Sequence, residues 1–159
     1  MSLQTIRISD IVSKWKDALA GSEAINEFCT TKYGKKPEIR VGLNQKQPPT
    51  AASCPIIVIR PGSKLEGEDQ EEFIYSISIG WGIVNELETV NDNVRELNGI
   101  AECDELGQLI MTELYCVNPS HPVTTVYYDL EVVEFFPQFV GEMVLEIAVM
   151  PAIGGTLKY

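Results

Sequence analysis

A chain of 159 residues, 45% of them hydrophobic, is long enough for one domain that buries roughly 70% of its unfolded surface without covalent staples. No apolar run approaches the ~20 residues of a membrane span, and the amino terminus lacks the basic and apolar segments of a signal peptide. With 23 acids against 12 bases, the net charge of −11 repels phosphates and leaves nucleic-acid binding little electrostatic support.

The first predicted element is a helix carried by Ile8, Ile11, Val12, Trp15 and Leu19, three and four apart on one stripe. Thr5 or Ser9 suits its start and Gly21 its stop. Ser22 then caps a short second helix with Ile25, Phe28 and Cys29 inward, ended by Gly34 and Pro37. Glu38–Leu43 reads as a short strand, and Asn44–Cys54, with Pro48-Pro49, as a loop. Pro55–Arg60 is a strand whose unbroken run Ile56-Ile57-Val58-Ile59 implies burial on both faces. Pro61-Gly62 is expected to end it. The polar and acidic Ser63–Glu71 then forms the exposed tip of an antiparallel hairpin.

The second arm of that hairpin is Glu72–Val84, where Phe73, Tyr75, Ile77, Ile79, Trp81 and Ile83 oppose Ser76, Ser78, Gly80 and Gly82. Glu86–Asn98 is read as a polar connection. A helix from about Ile100 to Cys116 follows, with Leu106, Leu109, Ile110, Leu114 and Val117 on one side. Asn118-Pro119-Ser120-His121-Pro122 breaks it. Thr124–Phe136 is a long strand with Val126, Tyr128, Leu130, Val132 and Phe136 on one face, and Pro137 turns the corner. In Gln138–Met150, Phe139, Met143, Leu145, Ile147 and Val149 oppose Gln138, Glu142 and Glu146. A period of two held this long means a sheet with one buried and one wet face. The class is α+β: a mostly antiparallel sheet of about five strands, with N-terminal helices and one central helix packed on one face. One domain spans 1–159, with 1–4 and 152–159 flexible.

The residues carry no recognisable catalytic or metal motif. Cys29, Cys54, Cys103 and Cys116 form no C-x-x-C pair, so no zinc site is read, and Cys29, Cys54 and Cys116 sit among apolar neighbours as core thiols. A reducing compartment suits them better than disulfides. His121, the single histidine, reads as a loop residue. Gly34-Lys35 fails as a phosphate loop because Cys29 stands where the first glycine belongs and Lys36 where Ser or Thr would hold magnesium. The run Glu66, Glu68, Asp69, Glu71, Glu72 lacks the ordered spacing of a calcium loop. Lys32, Lys35, Lys36 and Arg40 are a local group of bases, read as a solvated turn. Strands of about a dozen residues outreach the usual ~5–6. Tyr127, Tyr128, Phe135 and Phe136 suit either a subunit interface or the core.

The order of elements then carries a resemblance. An N-terminal helix, the segment Pro55-Ile56-Ile57-Val58-Ile59, and a hairpin into Phe73–Trp81 precede a helix with Gly107-Gln108-Leu109-Ile110. The closing strands hold Tyr128-Asp129-Leu130-Glu131 and Met143-Val144-Leu145-Glu146. Across most of the chain this resembles the tail terminator, or tail completion, proteins of long-tailed phages and prophages. The resemblance implies a non-enzymatic virion assembly protein without cofactor or metal. It implies a homo-oligomeric, typically hexameric ring that caps the tail tube and joins it to the head–tail connector. It would act in the bacterial cytoplasm during assembly and then in the virion tail, without sequence-specific nucleic-acid or membrane contacts. Glu131, Glu142 and Glu146 become candidate channel-facing acids that keep passing DNA from sticking. Lys64, Glu66, Glu68, Asp69, Tyr127 and Phe135 become candidate docking residues, with Asn44–Cys54 and Gly154–Tyr159 as further docking segments. A neck or head–tail joining protein of the same pathway, a small cytosolic enzyme and a ligand-binding α+β module are the other readings.

Overall fold

A computed structural model describes residues 3–4, 6–118, 120–131, 136–149 and 152–153. Helix α1 (Ile8–Gly21) buries Ile11, Val12, Trp15 and Leu19, the predicted stripe, although Arg7 rather than Thr5 or Ser9 stands at its N-cap. Ser22 closes α1 and opens α2 (Glu23–Tyr33), its hydroxyl accepting from the Ile25 N–H at 3.3 Å. Gly34 ends α2 in the left-handed conformation, φ 76°, which only glycine adopts without cost.

The strands are β1 (Leu3–Gln4), β2 (Glu38–Val41), β3 (Ile56–Leu65), β4 (Phe73–Val84), β5 (Glu88–Asn91), β6 (Val94–Leu97), β7 (Val123–Glu131), β8 (Gln138–Val149) and β9 (Ala152–Ile153). Helix α3 (Asn98–Val117) lies between β6 and β7. The main sheet has the order β2-β3-β4-β8-β7, parallel only between β2 and β3. The α+β class and mostly antiparallel five-stranded sheet follow the sequence expectation. β1 pairs with β9, and β5 with β6. No helix among the described residues is long and apolar enough to cross a membrane.

Four sequence expectations are corrected. β3 continues through Pro61-Gly62 to Leu65, because a register shift between Pro61 and Lys64 absorbs the proline where its missing N–H is harmless. Glu86–Asn98 is no bare connection but contains the β5–β6 hairpin, turned by Asp92 (φ 55°) and Asn93. β7 is described as far as Glu131, and Phe136 lies in a turn, 49% exposed, rather than on the strand; Val132 and Phe135 fall outside the described residues. Cys116 is exposed on α3, whereas Cys103, one helical turn before Gly107, is buried.

All three helices cover one face of the sheet. There Ile57, Ile59, Tyr75, Ile77, Trp81, Met143, Leu145 and Ile147 meet Trp15, Leu19, Leu106 and Ile110 in one core. Trp81 is its largest fully buried side chain. Its indole N–H donates to the Cys103 carbonyl at 2.8 Å, and its ring packs on Tyr128 with centroids 5.3 Å apart. Gly107 of α3 and Gly141 of β8 leave the room: a Cβ at either would run into the indole. Gly107→Ala should therefore lower stability by about 1–3 kcal/mol through overpacking, although alanine is the better helix former. Urea unfolding measures this; an unchanged midpoint would show that α3 does not sit against Trp81.

Candidate functional site

The face of the sheet away from the helices is the surface with most to offer a partner. Its register sets Arg40, Val58, Gly80, Glu142 and Asp129 in one row, and Arg60, Ser78, Val144 and Tyr127 in the next. Ser76 and Glu146 lie one row further on. This face is less wet than alternation alone predicts. Ile56, Val58 and Cys54 form a small buried cluster with Val84 against it, Ala148 is buried, and Val140 and Val144 are half-buried.

At one corner of the face lies a shallow apolar groove of about 240 Å³. Gly80 and Gly82 give it a floor without side chains, Ile56, Val58 and Val140 line it, and Leu43 and Pro49 form its lip. Gly80 has open space above it, the nearest atom to a Cβ there being 3.9 Å away. Arg60 reaches this groove and pairs with Glu142 at 2.6 Å across β4. Both side chains are about two-fifths exposed, so the pair contributes at most about 1 kcal/mol. It does neutralise one candidate channel-facing acid. Glu146 is half-buried on the same face without an ion-pair partner among the described residues. Glu131 ends β7 opposite Val140.

The candidate docking residues divide. Lys64 and Glu66 are engaged at the surface rather than free: the Lys64 ammonium donates to the Ile6 carbonyl at 2.9 Å, pairs with Glu66 at 3.0 Å and stands 4.6 Å over the Tyr75 ring. The Tyr75 hydroxyl lies within bonding reach of Glu66 and of the Ile6 carbonyl. This set ties the chain ahead of α1 to the β3–β4 tip. Glu68 and Asp69 are exposed on that tip. Tyr127 is 61% exposed on the edge strand β7, while Tyr128 belongs to the core and donates to Asp104 at 2.7 Å. Phe135 lies outside the described residues.

Sequence reasoning missed Glu102. Its part-buried carboxylate accepts from Tyr33 at 3.0 Å and Asn85 at 2.9 Å, with Lys32 at 3.8 Å. Burial, then the Glu102 charge, pushes the Tyr33 hydroxyl up. The Asn85 N–H also donates to the Pro137 carbonyl at 3.0 Å, so the root of the segment leading to β5 is fixed. No local pattern marks such a hub; only the fold brings α2, the end of β4 and α3 together.

Nucleophilic chemistry finds little purchase. Burial pushes the Cys29 and Cys103 thiols up to about 12 and raises that of Cys54 as well. The thiolate is the reactive form, so these three are poor nucleophiles at neutral pH. Among the described residues no three His, Cys, Asp or Glu side chains are grouped to hold a metal ion. His121 has a buried Nδ1 without a hydrogen-bond partner among the described residues. A comparison with protein-family models finds none that matches this chain, and a comparison with curated proteins likewise finds no match.

Ellman titration of native protein should label one thiol, Cys116, rapidly and the other three only on unfolding; two or more fast thiols would place Cys54 or a helix cysteine in contact with solvent. A second expectation concerns acid. The Tyr75 hydroxyl, then Lys64, holds the Glu66 carboxyl below its ordinary 4.5. The ionised form is thus favoured by folding, so its stabilisation is present above that pH and lost as pH falls through the lowered native value. Glu66→Gln should lower the unfolding midpoint at neutral pH, with the gap to the parent closing below about pH 4.5. A gap that persists undiminished in acid would remove the Glu66 charge as its cause.

Proposed function

We propose that this chain is a non-enzymatic assembly protein that works through protein–protein contacts, as a ring-forming tail terminator of a long-tailed phage or prophage. The observation that carries the reading is a sheet covered by helices on one face only. Its other face offers an apolar groove and a mixed row of charges, and its edge strand β7 presents the exposed Tyr127. Uncovered edges and half-apolar sheet faces are what neighbouring subunits cover. The order of elements adds the resemblance to tail terminators, with tail tube and head–tail connector as partners and the virion tail as final location. A neck protein of the same pathway would use the same surfaces.

Within this reading the open face has two halves. The β7–β8 half faces the passage, where Asp129 and Glu146 repel DNA while Glu142 is compensated by Arg60. The β3–β4 half, with the groove, faces a neighbour. The groove itself, at about 240 Å³, is smaller than the ~300–1,000 Å³ usual for small-molecule sites, which suits it to a protein side chain.

Native mass spectrometry across a wide concentration range, with negative-stain imaging, tests the reading. Closed rings of about six copies, formed alone or on added tail tubes, are the expected result. A stable dimer that never closes, or a chain that stays monomeric even with tail tubes, would overturn it.

A further inference from the structure

The β5–β6 hairpin is the least supported element of the described structure. Every residue of β5 and Val94–Glu96 of β6 is exposed, and Leu87, Val90 and Val94 are 64%, 55% and 53% exposed. A lone two-stranded hairpin is marginal in water. This one is held at its base, where the Asn98 N–H donates to the Leu87 carbonyl at 3.0 Å and the Thr89 hydroxyl to Asn98 at 2.7 Å. The rest projects from the fixed root at Asn85.

Its chemistry is distinctive. In the register Val90 faces Arg95 and Asn91 faces Val94, so the two valines stand on opposite faces of the ribbon next to its turn. The tip is thus a wedge with one valine on each side. Around the valines, Glu86, Glu88, Asp92 and Glu96 outnumber the single base Arg95. The groove over Gly80 and Gly82 has the complementary shape, with apolar walls on both sides of a bare floor. Its lip belongs to the one basic stretch of the chain. Residues 30–47 carry five bases and one acid, whereas the remainder carries seven bases and 22 acids. Arg60, in the groove, has guanidinium N–H donors beyond the one Glu142 engages, available to Asp92.

Placement agrees as well. Both features lie at the Val84 end of β4 but on opposite sides of the sheet. The hairpin base stands with Lys32, Asn98 and Leu130 around a depression on the helix side, and the groove opens on the other face. Two unlike patches on opposite flanks are what a head-to-tail contact requires. We infer that the β5–β6 hairpin of one copy docks end-on into the Gly80–Gly82 groove of the next, Val90 and Val94 filling it and the acids meeting Arg60 and Arg40 on that face. This rests on the ring-forming reading and names its contact.

Two variants disable the two halves. Val90→Ser/Val94→Ser alters only exposed side chains, and Gly80→Leu fills the groove from a position with open space; circular-dichroism melts check that both remain folded. Each should raise the concentration needed for self-association by about tenfold or more, the scale at which hot-spot residues act. Mixing them leaves one intact hairpin and one intact groove per pair, so the mixture should form dimers and stop there. Parent rings with both variants assembling equally well would overturn the hairpin contact and leave the ring reading standing. A mixture that closes into rings would also overturn it. A parent that never self-associates would overturn both.

Discussion

The way one indole is housed decides how the two layers of this protein meet. Trp81 points from the central strand into the helices, 1% exposed, and its single polar atom is satisfied by the Cys103 carbonyl. Room exists only because Gly107 and Gly141 carry no side chain. A glycine inside a helix costs about 1 kcal/mol against alanine, and one inside a strand a comparable amount. Burying the 150–250 Å² of a large aromatic returns roughly 4–6 kcal/mol at the usual area coefficient, so the exchange is favourable. The same device recurs at the start of α3, where Phe139 occupies the space a Cβ on Gly99 would need. Two aromatic contacts, eight residues apart on one stripe of α3, fix both the height of that helix over the sheet and its rotation.

The open face bears the mark of the same arrangement. Along β4 the inward positions carry Ile77, Ile79, Trp81 and Ile83, and the outward ones Ser76, Ser78, Gly80 and Gly82. Strand pleating sends neighbours to opposite sides, and here the small residues fall on the outward one between Ile74 and Val84. Where the core takes its largest residue, the outer face is left with backbone alone. The neighbouring strands still project Ile56, Val58 and Val140 there, which turns the bare strip into a trough. Glycine in a central strand commonly marks a close approach of another backbone.

Most of the fold was legible because contrast was high. The alternations from Phe73 to Ile83 and from Phe139 to Val149 separate large apolar residues from serine, glycine and glutamate without ambiguity. Ser22 and Gly34 announce helix ends by backbone chemistry that needs no partner. Legibility failed where contrast or locality failed. Each face of the β5–β6 ribbon mixes a valine with polar and charged residues, so its period of two is invisible, and only Asn91-Asp92-Asn93 hints at a turn. Pro61 reads as a stop because the bulge that accommodates it is a property of the pair β3–β4, not of β3. Lys64 and Glu66 look like a solvated tip until Tyr75 and Ile6 arrive from elsewhere in the chain. Cys116 reads as a core thiol but is exposed, because apolar neighbours in sequence are a poor guide on a helix. Cys103 shares the stripe of Leu106, Gly107 and Ile110, and Cys116 does not.

The distribution of charge constrains association more than its total does. At −11 overall, two copies repel at a distance, and within a Debye length of about 8–10 Å the local pattern takes over. In an isologous contact one shared surface meets its copy, residue i against j and j against i, so patches on opposite flanks of the chain cannot satisfy each other in it. A heterologous contact sets the basic stretch of one copy against an acidic surface of the next, and is the arrangement in which the segregation is attractive. Arg60 sharpens this preference. Paired with Glu142, it removes a repulsive acid from the groove edge while keeping donors for an incoming carboxylate. Segregated charge of this kind adds modestly to affinity but strongly to orientation, since wrong juxtapositions of like charge cost several kcal/mol by general experience. In the head-to-tail contact proposed above, the acidic excess that repels copies at a distance is offset at short range by the local match of acid to base.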